Sequence, residues 1–540
     1  MFVKITKSGN YKYCQVVESF KDAKVTRHRV LFNLGRLDVI QGNQSFQNFA
    51  RKLLALSKAD VPLSLDGISE AEISNWGYVV YKKIWEAFSL DKILSSITSG
   101  TKISFSLWQT SFLMAISHLL APSSKLAMYN NQAKYINLAP VGLNDIYRSL
   151  DMLSDAKERI EREIFEINRN LFNMSVDVVF YDATTFSFCS VIADSLKDFG
   201  YSKEGKPNKV QVVMCLLIDC YGRPIGYELF PGNTFDGKTL SKALDELEKR
   251  FGIRKVIVVA DKGITSKVNL KEIIDIGYSY IFAYRLKSSA DRIKAEAFSG
   301  GYTQIQDADD CLSYKVISSK ENFYANSRKV SLEQKIIITY SEARARKDML
   351  DRQRMVDRAQ ALLEDFSKIR ASNRRGAKKY IAQEGENINY ILDTAEIEAE
   401  ARYDGYYAIA TSEENMTAED ILSAYHNLWK IEQSFRIMKS SLEVQPIFVW
   451  TEKRIKGHFV ICFLAFLLAR HLEYKLNKNG ISASAEKIRE ALNSLNFAKV
   501  SLNTNAYFIK TKATDLAHKI LRILKINSPK NITPAEELNI

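Results

Sequence analysis

The sequence predicts an α/β protein built on a mixed sheet with helices on its faces. Three observations carry that expectation. Between residues 176 and 287, apolar β-like runs and helical patterns follow in the order strand, strand, strand, helix, strand, helix, strand. The fourth run, Lys255–Asp261 (KVIVVAD), is apolar without alternation, as in a strand buried on both faces. More than a hundred residues of other pattern then separate this block from a further strand and an amphipathic helix, too many for a connecting loop, so the core is expected to be split by an inserted subdomain.

The elements follow from the N-terminus. Residues 1–60 alternate short β-like runs (Tyr11–Val17, Arg29–Leu34) with polar turns and predict a small basic β module. Residues 61–175 are helical in pattern, with apolar spacings of three and four in Trp76–Phe88, Ser104–Leu120 and Ile146–Phe172. This region is a candidate for DNA binding, with plain helical packing as the alternative. Residues 176–287 hold the first part of the core. Its strands are Val176–Phe186, Val210–Cys220 and Pro224–Phe230, with Tyr221–Gly222 as a turn. A helix from Lys238 to Phe251 follows, with Asp236 as its N-cap, then Lys255–Asp261, a helix over Ser266–Ile276 and a strand over Tyr280–Leu286.

Residues 288–403 form the expected insertion. It holds β-like pieces at Lys335–Tyr340 and Tyr390–Leu392, a charged helix over Glu342–Ile369, and a turn with Arg370, Arg374, Arg375, Lys378 and Lys379. That density of cations suits a DNA clamp, and a solvated arm is the other reading. Residues 404–480 return to the core with a strand at Tyr406–Ala410. An N-cap signal at Thr417 with Asp420 then starts a helix through residues 421–440. The apolar run Phe459–Ala469 is too short to span a bilayer and fits a buried helix. Residues 481–540 read as a basic helical tail.

Composition narrows the function. A chain of 540 residues exceeds one core and predicts about three or four domains. No apolar segment follows the start MFVKITKSGN, so no signal peptide is expected. Six scattered cysteines form no CxxC pair, so neither a zinc site nor a disulfide framework is indicated, and a reducing cytosol is expected. The six histidines are scattered and read as surface or core residues. The net charge of +13 is carried by residues 1–60 (+7) and 499–530 (+6). Basic ends on a balanced body suit a polyanion such as nucleic acid, or simple solubility. Gly200–Pro207 (GYSKEGKP) imitates a phosphate-binding loop, but Pro207 stands where a hydroxyl should hold the ion. Nucleotide hydrolysis is therefore not expected.

The chemistry centres on three acids. Asp182 sits in the first strand between residues that would bury it, and Asp261 closes the fourth strand at its carboxyl end, where ligands of open α/β sheets bind. If those strands are neighbours the acids meet, and a divalent cation relieves their repulsion. Glu432, in ILSAYHNLWKIEQSFRIMKS, supplies a third oxygen ligand. Tyr425 and Lys439 lie seven residues either side of it and Arg436 four after, which on one continuous helix puts all four on one face. Singly, Asp261 reads equally as a capping residue, Asp182 as an Asx turn and Glu432 as a routine helix residue. Jointly they point to a metal site beside phosphate-binding groups.

The run from YDATT through SKEGKPNKVQVVMCLLIDCYGRPIGYELFPGNTFDGKTL to VVADKG resembles the DDE transposases of bacterial insertion sequences. YHNLWKIEQSFRIMKSSLEVQPIFVW followed by RIKGH resembles the subgroup with a Tyr-Arg-Glu-Lys signature around the catalytic glutamate. The resemblance covers residues 176–287 and 404–470. It implies an RNase H-like catalytic core with an insertion before the glutamate helix, and a catalytic, metal-binding triad of Asp182, Asp261 and Glu432. It implies two Mg²⁺ (or Mn²⁺) ions, and DNA phosphate binding by Tyr425 and Lys439. The signature arginine falls on Leu428, and Arg436, one turn past Glu432, is the guanidinium that can replace it. The implied activity is metal-dependent cleavage of double-stranded DNA at the element's ends and strand transfer into target DNA. A homodimer or larger synaptic complex is implied, in the bacterial cytoplasm, with no membrane. An RNase H-like nuclease without strand transfer and an inactive DNA-binding relative are the alternatives.

Overall fold

The computed structural model describes residues 1–22, 25–57, 71–171, 178–201, 208–234, 239–253, 256–260, 266–306, 311–325, 328–364, 376–384, 389–502 and 505–538. The chain divides into two compact units, residues 1–71 with 500–507, and residues 72–499 with 508–540.

The first unit carries an antiparallel three-stranded sheet of β1 (Phe2–Ser8), β2 (Tyr11–Asp22) and β3 (Val25–Arg36). Cross-strand rows such as Val3–Val16–Phe32 and Phe2–Val17–Val30 hold it. Helices Leu37–Gln41 and Gln44–Ser57 follow.

In the second unit, β4 (Glu72–Asn75) leads into a helical layer that includes Val79–Ala87, Leu107–Leu120 and the long helix Leu143–Leu171. The expected block follows as β5 (Val178–Ser187), β6 (Gln211–Asp219), β7 (Pro224–Pro231), helix Leu240–Phe251, β8 (Ile257–Ala260), helix Lys267–Asp275 and β9 (Ser279–Tyr284). The proposed N-cap Asp236 lies outside the described residues, whereas Ser266 caps the next helix by accepting from the Asn269 N–H. The turn at Tyr221–Gly222 is present, with Gly222 at φ +79°, a conformation that favours glycine.

β10 (Thr303–Gln306), β11 (Cys311–Ala325) and β12 (Arg328–Ser341), all within 288–403, join the same sheet. The charged helix of that segment spans Glu342–Leu363, and β13 (Ile381–Glu384) and β14 (Asn389–Leu392) make a separate hairpin. With β15 (Tyr406–Thr411), the sheet has nine strands in the order β10-β11-β12-β15-β9-β8-β5-β6-β7. β5 is antiparallel to β6 and parallel to β8, β8 is parallel to β9, and β15 runs antiparallel between β9 and β12. It is a mixed sheet, as the strand order predicts.

The period of two divides the core. Phe180, Phe186, Met214 and Leu216 face one side with the apolar helix Glu452–Lys478, while Val179, Tyr181, Val213 and Cys215 face the helices Leu240–Phe251 and Lys267–Asp275. Helix Glu452–Lys478 contains the predicted apolar run. By length and composition it could cross a membrane, but 89% of its apolar window is buried inside the protein. Gly457 lets it approach helix Leu143–Leu171, because a Cβ there would lie 1.9 Å from the Leu150 carbonyl oxygen. The tail is not wholly helical as read. β16 (Asn496–Leu502) pairs with β4 from Asn496↔Asn75 to Lys499↔Glu72, and β17 (Asn505–Lys510) and β18 (Ile532–Pro534) complete that small sheet.

Candidate active site

Asp182 lies in the middle of β5, on the face of Phe180 and Phe186. Its chain neighbours Tyr181 and Ala183 point to the opposite layer, so they do not bury it as the sequence suggested, and Asp182 is only half-buried. Its Oδ1 accepts the Ala183 backbone N–H at 2.7 Å. Asp261 lies outside the described residues. The strand that precedes it in sequence, β8, is buried and sits directly beside β5, with Phe180 opposite Val259. The adjacency of first and fourth strands required by the sequence argument is therefore present.

Glu432 lies on helix Trp429–Arg436, which packs against β5 through the side that buries Ile431 and Phe435. Its carboxylate is exposed, with no hydrogen bond or ion pair among the described residues. The strand and the helix are also tied further on. Lys439 Nζ lies 5.4 Å from the Phe186 ring centre, the Ser187 N–H donates to Gln445 Oε1 at 3.0 Å, and Phe188 bridges to Ile447.

The continuous helix expected over 421–440 is corrected. The N-cap at Thr417 is as predicted, its hydroxyl accepting the Asp420 N–H at 3.2 Å. The first helix ends at His426. Asn427 then bonds its side-chain amide to the Ser423 carbonyl at 2.8 Å, and Leu428, Lys430 and Ile431 donate backward three residues, a tightened turn. Beyond Arg436 the chain widens into a π-helical turn, Ile437–Ser441. A common face for Tyr425, Glu432 and Lys439 thus cannot rest on a uniform helical period.

Tyr425 is half-buried and held differently. Its hydroxyl bonds the Tyr407 hydroxyl on β15, with the rings 5.7 Å apart. Arg436 is exposed, with no ion pair among the described residues. Leu428 is 8% exposed and part of the core, which explains why an apolar residue stands there. Of the basic turn, Arg370, Arg374 and Arg375 lie outside the described residues, and Lys379 is paired with Glu400 at 2.6 Å. The loop Gly200–Pro207 also lies mostly outside them.

Residues 176–468, over half the chain, match the model of the transposase DDE domain. The chain belongs to the DDE transposase family. Residues 3–62 of the transposase also match the N-terminal domain of IS1634 family transposases. No curated protein matches it. Among solved structures it is similar to a piggyBac transposase synaptic complex with hairpin DNA, at 9% identity and TM-score 0.36, over 79% of this chain and 83% of that one. It is also similar to a Mos1 transposase paired-end complex with left transposon end, at 12% identity and TM-score 0.15, over 34% of this chain and 60% of that one. A Mos1 mariner paired-end complex with Mn matches at 12% identity and TM-score 0.14, over 43% and 72%.

Two residues of the transposase, Tyr407 beside Tyr425 and Arg344 beside Tyr407, escaped sequence reasoning. Tyr407 sits on a strand with no polar motif, and Arg344 of the charged helix lies 4.6 Å from the Tyr407 ring centre. Both line a cleft of about 1100 Å³. Its five cations face four acids, and pairs such as Lys379–Glu400 and Arg344–Asp348 cancel most of the charge. Cleft size alone therefore does not mark a polyanion track.

Proposed function

We propose that this transposase has an RNase H-like core in which Asp182, Asp261 and Glu432 hold two divalent ions, Mg²⁺ or Mn²⁺. The antiparallel trio β5–β7, continued by parallel β8 and β9, supports the fold reading. The observation that carries the site is the packing of helix Trp429–Arg436 on β5, the strand of Asp182. In sequence, Asp261 follows Val259 by two residues as Asp182 follows Phe180, and Phe180 and Val259 are register partners. The donor set is three carboxylates with no sulfur or imidazole, which fits hard cations.

When bound, such ions activate an attacking oxygen and stabilise the leaving one. The chain's own groups do the rest. Lys439 and Arg436 offer positive charge to DNA phosphates next to the acids, and Tyr425, its hydroxyl held by Tyr407, orients a phosphate oxygen. Hydrolysis at the element's ends would free a 3′-hydroxyl, and transesterification would join it to target DNA. The chain is read as a divergent member of the Tyr-Arg-Glu-Lys subgroup, with Arg436 in place of the arginine that Leu428 lacks. The two basic segments support double-stranded DNA as partner, bound by a homodimer or larger synaptic complex in the bacterial cytoplasm.

The test uses purified transposase, DNA carrying the element's ends, a target plasmid and Mg²⁺ or Mn²⁺. Asp182→Asn, Asp261→Asn and Glu432→Gln are each expected to abolish cleavage and joining while end binding persists. Full activity in any one would overturn the triad. Cleavage by the wild type without joined product would instead identify a nuclease.

A further inference from the structure

The inserted segment brings one cation to the rim of the carboxylate site. Helix Glu342–Leu363 starts where β12 ends, and Ser341 caps it by accepting the Arg344 N–H at 3.2 Å. The start of β15 is clamped to that first turn. The Ser341 N–H donates to the Gly405 carbonyl at 3.2 Å, and a Cβ on Gly405 would lie 2.9 Å from the Ala345 Cβ. Arg344 therefore stands on a fixed base and not on a free arm.

Strand register places this corner at the end of the sheet where the acids lie. Ala260, the last residue of β8, pairs with Phe282, and Tyr284, two residues further along β9, pairs with Ala408. Tyr407 thus lies past the carboxyl end of β8, the end that leads in sequence to Asp261. It packs in the layer of Ile409, Phe180 and Phe186, which is the face of Asp182.

The Arg344 guanidinium lies 4.6 Å from the Tyr407 ring centre, and the hydroxyl of the same ring bonds that of Tyr425. Stacking uses the flat face of a guanidinium and leaves its N–H donors, which lie in the plane, to the oxygens of a phosphate. The ion pair of Arg344 is loose. Its Nε lies 3.5 Å from Asp348 Oδ2, and its side chain is 47% exposed. Such a pair stabilises little. The same Asp348 oxygen accepts the Gly405 N–H at 3.1 Å, so Asp348 keeps a partner when Arg344 turns to another anion. Arg352 and Lys379 of the same cleft are bonded directly to Asp404 and Glu400 and are less exposed.

We propose that Arg344 binds a DNA phosphate beside Tyr425, next to the cleaved bond. The inserted segment then supplies a guanidinium at the Tyr425 end of the glutamate helix, while Arg436 stands at the other end. Leu428 gives the reason: it is buried, so the helix itself sends no guanidinium to that end. The proposal rests on the reading of Tyr425 and the acids as the place where DNA is held for cleavage.

The experiment uses the full-length transposase and end-carrying DNA in which the phosphates flanking the cleaved bond are replaced, one at a time, by uncharged methylphosphonates. Affinity is measured without divalent ions. Arg344→Ala is expected to weaken binding to unmodified DNA about tenfold, the scale of a hydrogen bond to a charged group. At one modified phosphate, wild type and Arg344→Ala should bind alike, because the contact is already gone. Arg344→Lys, which keeps the charge and loses the fork, should recover part of the affinity at that phosphate alone. Tyr425→Phe should lose its own effect at the same phosphate. A penalty of equal size on every modified DNA, or no penalty on any, would show that Arg344 only packs against Tyr407 and would overturn the proposal. Coupling confined to a phosphate away from the cleaved bond would overturn it as well. Cleavage in Mg²⁺ that survives Asp182→Asn would sink the carboxylate reading alone, since the coupling is read by binding.

Discussion

Two groups of acids on the same sheet are treated in opposite ways. On the face toward helix Leu240–Phe251, Glu161 of helix Leu143–Leu171 and Glu228 of β7 share two cations. Lys157 reaches both at 3.0 and 2.9 Å, and Arg250 bonds Glu161 and lies 2.9 Å from Glu228. Burial pushes the Glu161 carboxyl up, while on Glu228 burial is outweighed by Lys157 and Arg250, which hold it low. Across the sheet, Glu432 stands exposed, with no ion pair among the described residues, on the helix that packs against the strand of Asp182. A carboxylate that stabilises a fold is closed off by cations. The carboxylate proposed to hold an ion is left open instead, and its helix is held by apolar residues such as Ile431 and Phe435.

Substitutions in the two groups should separate activity from stability. Glu432→Gln is expected to reduce strand cleavage on the order of 10⁴-fold or more, the scale at which members of a catalytic unit act, with unchanged thermal unfolding. A large drop in melting temperature would make Glu432 structural and break the contrast. Arg250→Met leaves two buried acids with one cation. Its expected cost is about 3–5 kcal/mol in denaturant unfolding, with cleavage per folded molecule retained. Lost cleavage without lost stability would join the two faces into one functional unit.

The strand order was legible because β5 to β9 are apolar in period two or throughout, and turn residues such as Gly222 punctuate them. Less legible were strands stabilised by neighbours rather than by their own pattern. β11 (CLSYKVISSKENFYA) is half polar and owes its place to pairing with β12. β16 was read as helical, yet it is a strand paired with β4 from the far end of the unit. In the site, Asp182 and Asp261 stood out as charges in apolar strands, and Glu432 as one acid among aromatic and basic residues. The break after His426 did not, since it depends on an amide cap by Asn427 and on Leu428 entering the core. Tyr407 could be found only by folding β15 against Tyr425.

Acid should act on the closed, buried groups before it acts on the open site. His118 and His471 are lowered to about 3 by burial, and His458 is lowered well below its ordinary value. The unfolded chain takes up protons at these histidines near pH 6.5, whereas the folded chain does not. Stability is therefore full above about pH 6.5 and falls as pH drops from there toward about 3, by up to about 1.4 kcal/mol per pH unit for each histidine. Urea midpoints measured between pH 8 and 5 check the sign. A midpoint that rises on acidification would show that these histidines charge within the fold.

The smallest expected effect lies at the open site and decides how Leu428 is compensated. Leu428 is buried, so a cation at that position would have to leave the core to reach DNA. Arg436 is exposed at the end of the glutamate helix, with no competing ion pair among the described residues, so its guanidinium is available to a phosphate. One phosphate contact contributes about one unit to the slope of log affinity against log salt. Arg436→Ala should lower that slope by about one for end-carrying DNA, so that the affinity ratio between 50 and 200 mM salt shrinks about fourfold. Glu432→Gln should leave the slope unchanged or steeper, because it removes a negative charge near the DNA. An unaltered slope in Arg436→Ala would mean that the cation missing at Leu428 is not replaced on this helix, and Lys439, held against Phe186, would then be the remaining phosphate ligand there.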